Sequence, residues 1–162
     1  MEDGDGSLVR HVDHGVLAVG DEGPIEARLA ALHAALARAF DVHRPDVVAI
    51  EEVFHARNAR SAIVLGQARG VALLAAAQAG AQVRSFAPAV IKQAVTGTGR
   101  AEKDQVGRMV CMLLGITIRD RVDATDALAA AICGLLRVRN APAAVPQTTG
   151  PGFLARAARG RR

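Results

Sequence analysis

Tryptophan and tyrosine are absent from these 162 residues and aromatics make up only 2%, so the sequence has little with which to build a base-stacking platform of the single-strand-binding kind. Stacking on a base falls to a lone Phe or to Arg. Cysteine occurs twice, at Cys111 and Cys133, in apolar segments without a C-x-x-C spacing. That excludes a disulfide scaffold and a thiolate zinc site, and leaves the reading of two buried thiols. No apolar run approaches the roughly 18 residues that a spanning helix needs. The opening Met1-Glu2-Asp3-Gly4-Asp5 is acidic, unlike a signal or transit peptide. These absences point to a cytoplasmic chain without a membrane partner.

What is present suits one domain. Hydrophobic residues are 51% and charged residues 22%, close to the globular average, so wholesale disorder is excluded. The net charge of +4 hides a segregation along the chain. Residues 1–53 hold 11 acids and 4 bases, whereas residues 54–119 hold 9 bases and 2 acids. Residues 137–162 carry six Arg and no acid. A basic middle and a basic end suit a polyanionic partner, although a block in sequence need not be a patch in space.

Residues 8–19 alternate loosely around Gly15 and predict two extended segments or a bulged strand. Pro24 then opens a helix whose Ile25, Leu29, Leu32, Leu36 and Phe40 share one face, ending near Asp41. The β-branched run Val47-Val48-Ala49-Ile50 predicts a buried strand that delivers Glu51 at its C-terminal end. Residues 61–79 read as an Ala-rich helix stopped by Gly80. Its Ala62, Gly66 and Gly70 recur every four residues, which implies close packing on a sheet or on a partner helix. A strand at 82–86 follows, then helices from Pro88 to about Val95, Glu102 to Leu114 and Asp123 to Arg139. Strands alternating with helices predict an α/β domain, over residues 1–139, whose sheet is covered on both faces. Residues 140–162, rich in Pro, Gly, Ala and Arg, read as a flexible basic tail.

Asp123 and Asp126, three apart on a helix otherwise made of Ala, Leu and Ile, project from one face. Capping the helix N-terminus is their bland reading. The apolar surroundings of the second carboxylate favour a cation instead. Glu51 stands at the carboxyl edge of the sheet, where α/β proteins build sites. If the three acids converge, an all-oxygen, anionic cluster suits Mg²⁺ or Mn²⁺, and two such ions can clamp a phosphodiester. Lysine occurs at only two positions, Lys92 and Lys103, and these bracket the loop Thr96-Gly97-Thr98-Gly99, a candidate phosphate grip. A dinucleotide fingerprint fails there because position 102 is Glu. His11 and His14, on an extended segment, would face different sides, which argues against a shared metal. His55 lies beside the candidate site and reads as a solvated loop residue.

The ordered blocks Ala49-Ile50-Glu51-Glu52-Val53-Phe54, Asn58, Ser61-Ala62, Leu65-Gly66-Gln67-Ala68-Arg69-Gly70-Val71-Ala72 and Ile91-Lys92-Gln93-Ala94-Val95-Thr96-Gly97 resemble the RuvC family of Holliday junction resolvases. Lys103, Gln105-Val106, Met109-Val110 and Asp123-Ala124-Thr125-Asp126-Ala127-Leu128-Ala129 continue the resemblance in the same order, over about residues 8–137. It implies a ribonuclease H-like fold, a mixed sheet flanked by helices, a homodimer, and Mg²⁺-dependent paired nicks at four-way DNA junctions in recombination and repair. Two Mg²⁺ ions, replaceable by Mn²⁺, are expected. Glu51, Asp123 and Asp126 fall on the family's metal-binding acids, and Lys92 and Lys103 on its basic catalytic residues. Phe54 falls on the aromatic that contacts the junction, and Arg69 joins the two lysines as a DNA-binding cation. The branch-migration proteins RuvA and RuvB are the implied protein partners.

The departure is at the front. The family begins with a central strand ending in Asp-Pro-Gly, whose Asp is a metal ligand, and no Asp-Pro-Gly occurs here. Asp3 and Asp5 are poor substitutes, and the expectation is a chain that starts after that first strand, with Met1 in question as the true start. Two functions are therefore carried forward. One is a metal-dependent, structure-selective endodeoxyribonuclease. The other is a catalytically inactive junction-binding remnant. A metal-free α/β interaction module is the third and blandest reading.

Overall fold

The computed structural model describes residues 9–20, 22–52, 58–118 and 122–140. Phe54, His55, Asp3, Asp5 and the tail beyond Asn140 lie outside them. Pro24 precedes helix α1 (Ile25–His43), where its carbonyl accepts from Ala27 and Arg28. Arg44, in the left-handed region at φ 45°, closes that helix by donating its N–H to the Phe40 carbonyl. Strand β1 (Val47–Glu51) follows, then helix α2 (Ala59–Gln78), whose first turn is capped by the Asn58 side chain accepting from Ser61 N–H at 2.9 Å. Strand β2 (Gln82–Phe86) lies parallel to β1 in the register Val47 to Gln82 through Glu51 to Phe86, so α2 is the crossover that a parallel pair requires. Helices α3 (Pro88–Thr96), α4 (Lys103–Leu114) and α5 (Val122–Asn140) complete the order.

The layers follow from where the apolar faces fall. Helix α5 lies on β1, α2 on β2, α1 on α2, and α3 and α4 both pack on α5. The core sits under the last three helices. Val110, Ile132 and Cys133 are fully buried there, joined by Ile91, Val95, Val106, Ala129 and Ala130, with Ala49 and Phe86 reaching in from the sheet. Contact between α5 and β1 is close because residue 134 is glycine. A Cβ there would stand 2.9 Å from that of Ala49.

Four sequence expectations need correction. The described part of the 8–19 segment, residues 9–19, forms no strand, and the sheet among the described residues holds only β1 and β2. Alternation makes a strand only when a ladder partner lies beside it, and among the described residues neither β1 nor β2 pairs with this segment. Within the same segment His11 Nε2 and His14 Nδ1 share a hydrogen bond of 2.9 Å, so the two rings meet rather than diverge. Cys111 is only half-buried, although Cys133 is buried as expected, because α4 turns Met112 and Leu113 beside it toward the exterior. Finally, the small-residue row of α2 packs on nothing described: Cβ atoms added at Gly66 and Gly70 would meet open space.

Among the described residues α2 alone is long and apolar enough to cross a membrane by length and composition. Its Arg69 is tied to the sheet instead, and an arginine mid-helix is costly in lipid.

Candidate functional site

Four elements converge on one cleft of about 290 Å³, lined by Glu51, Pro88, Ile91, Lys92, Lys103, Val106, Asp126 and Ala129. Glu51 is there because β1 ends there. Lys92 comes from α3, whose Pro88 presets the first turn and whose Ile91 is anchored in the core. Lys103 is the first residue of α4 and Asp126 lies in the early part of α5. Each is followed three residues later by a buried residue, Val106 and Ala129 respectively, so packing of the two helices sets the approach of their polar heads.

That approach makes an ion pair. Lys103 Nζ lies 2.9 Å from Asp126 Oδ2. The hydrogen bond to Asp126 holds the Lys103 ammonium above its ordinary value, with the charges of Asp126, Asp123 and Glu51 adding to the effect. Glu51 is also raised, chiefly by burial and then by the charge of Asp126, against the opposing pull of Lys103 and Lys92. Asp123 is exposed at the start of α5 and acts on Lys103 through its charge. Three acids of the sequence reading, Glu51, Asp123 and Asp126, thus act on the Lys103 ammonium, and Lys92 lines the same cleft.

They do not gather as metal ligands. All-oxygen donors suit Mg²⁺ chemically, yet among the described residues no three carboxylate, imidazole or thiolate groups stand close enough to share an ion. The cation nearest Asp126 is the protein's own lysine. As arranged, this donor set does not fit the two-ion site that the resemblance implies.

Arg69 stands behind the cleft. Its Nη1 donates to the Glu51 carbonyl oxygen at 2.9 Å and its Nη2 to Ser85 Oγ at 2.7 Å, tying α2 to the ends of both strands. Ser85 and the apolar floor of Pro88, Ile91, Val106 and Ala129 bear no chemical motif, so the sequence does not mark them as site residues. The Thr96–Gly99 loop is no open phosphate cradle. Gly97 caps α3 in the left-handed conformation at φ 82°, Thr96 Oγ1 donates to the Lys92 carbonyl, and Thr98 N–H and Arg100 N–H turn to threonine hydroxyls of the loop itself. The amides of Gly97, Thr98 and Arg100 are thus turned inward.

The profile of the family described as "Crossover junction endodeoxyribonuclease RuvC" matches residues 2–134. The chain belongs to the RuvC family. The RuvC protein of Myxococcus xanthus is 50% identical over 154 residues, 94% of this chain and 78% of that protein. That of Acidiphilium cryptum is 50% identical over 129 residues, 80% of this chain and 77% of that protein. Among solved structures, Thermus thermophilus RuvC in complex with a Holliday junction substrate aligns with a TM-score of 0.76 at 34% identity, covering 83% of this chain and 82% of that one. The ribonuclease H-like α/β fold expected for the RuvC family is therefore the fold observed, with its sheet represented by the parallel pair β1 and β2.

Proposed function

We propose that this chain is a four-way-junction DNA-binding protein of RuvC fold that, as it stands, binds without cutting. The observation that carries this reading is the Lys103–Asp126 ion pair of 2.9 Å inside the acidic cleft, where no three acidic groups among the described residues stand close enough to share an ion. Lys92 and Lys103 supply the phosphate contacts, and Phe54 is the aromatic that meets the junction. Arg69, with both amino groups engaged, supports the strand that carries Glu51. The junction as ligand is supported by family membership and by the likeness to the Thermus thermophilus complex with that substrate. Phosphate contacts release counterions, so binding weakens as salt rises.

The second reading is the family's own chemistry, Mg²⁺-dependent endodeoxyribonuclease action in recombination and repair. It is favoured by Glu51 and Asp126 lining one cleft, with Asp123 as the third acid. A native gel with four-way and linear DNA, with and without Mg²⁺, separates the two. The expected result is retention of the four-way DNA over the linear form and no nicked product. Paired nicks in Mg²⁺ would overturn the binding-only reading.

The reading includes a homodimer built on α2. Its Gly66 and Gly70 face open space, and Ile63 and Leu74 beside them are 63% and 53% exposed, an apolar face that a second copy would cover. RuvA and RuvB as partners and a cytoplasmic location rest on family membership.

A further inference from the structure

The arrangement around Asp126 differs from what a divalent-ion site requires, and the difference has an identifiable cause. Lys103 Nζ makes a charge-assisted contact with Asp126 Oδ2 at 2.9 Å. Both side chains are held by the helix packing beneath them, through buried Val106 and Ala129. Lys92 also lines the cleft and acts on Glu51, but its charge is not part of the pair at Asp126. We propose that Lys103 is the resident cation of the acidic cleft and competes directly with divalent ions for Asp126, so that such ions bind there more weakly while this lysine is in place.

The chemistry is a charge exchange. A divalent ion entering at Asp126 must take over the carboxylate oxygen now held by the ammonium, and must tolerate a second positive charge one side chain away. Because the Lys103 and Asp126 side chains are 61% and 40% exposed, solvent screens the pair, and the competition is a matter of about tenfold rather than of orders of magnitude. The Asp123 and Glu51 carboxylates also act on the Lys103 ammonium, so the pair sits among the other acids of the cleft. The competition does not rest on the junction-binding reading.

The test is a titration of the full chain with Mn²⁺ alone, in the absence of DNA, with free Mn²⁺ read by electron paramagnetic resonance. Lys103→Met is expected to bind Mn²⁺ about tenfold more tightly than wild type, whereas Lys103→Arg and Lys92→Met stay within about threefold of it. Equal affinity in wild type and Lys103→Met overturns the proposal, as does an equal gain in Lys92→Met, which would reveal only the general charge of the cleft. Absence of Mn²⁺ binding in every form also overturns it. A cooperative melt of Lys103→Met checks folding, with Lys103→Gln as the replacement carrying the same expectations. Since no DNA is present, a failure here and a failure of junction binding are read separately.

Discussion

At the scale of residues, the cleft is a compromise between charge and burial. Glu51 is raised by burial and by Asp126, which means that its ionisation costs folding free energy. The stability tied to its neutral form is full below the unfolded value of 4.5 and lost as pH rises through the higher folded value. Glu51→Gln is therefore expected to raise the melting temperature near neutral pH, with the gain disappearing below 4.5; thermal melts across that range check it, and a loss at neutral pH would contradict it. Arg69 holds the backbone of the same residue. Arg69→Gln is expected to cost about 1 kcal/mol, seen as a lower melting temperature, because two solvent-exposed hydrogen bonds that tie α2 to β1 and β2 are lost together. The positions of Glu51, Lys92 and Asp126 were legible in the sequence, since a strand end and a helix face are set by local pattern. The Lys103–Asp126 pair and the Arg69 tie were not, because each joins residues whose separation only tertiary packing closes.

Elements were read more fully than contacts. Pro24, Asn58, Pro88, Gly97 and Gly115 mark helix ends through fixed φ, a capping oxygen or a left-handed turn, so the helix boundaries fall close to their predicted places. Residues 9–19 show the other side of the argument: their alternation is real, but a strand is a property of a pair. Two predictions belong here. Gly134→Ala places a methyl 2.9 Å from the Ala49 Cβ on the backbone-anchored strand β1, and is expected to destabilise by about 1–2 kcal/mol despite alanine's better helix propensity. A rise in melting temperature would show that α5 can move off the sheet. Gly66→Arg, on the open row of α2, is expected to leave the melt nearly unchanged for the isolated fold but to yield monomers by light scattering where wild type yields dimers. Dimers in both would remove α2 from the interface.

At the scale of the whole molecule, the family and its α/β fold were legible because many ordered motif blocks span most of the chain. The arrangement of the core was not. It lies under α3, α4 and α5, with β1 only half-buried, because the described sheet has two strands and packs chiefly through α5. Charge segregation adds the electrostatic side, with Lys92 and Lys103 drawn from the basic middle of the sequence to an acidic cleft. The most direct test of the account is a competition measured by fluorescence anisotropy, in which a labelled four-way junction bound to the full chain is challenged with excess unlabelled linear duplex and the salt is varied. The account predicts that the junction stays bound against the duplex and that its affinity falls steadily with salt. Equal competition by linear duplex, or no binding of the junction at low salt, would contradict it.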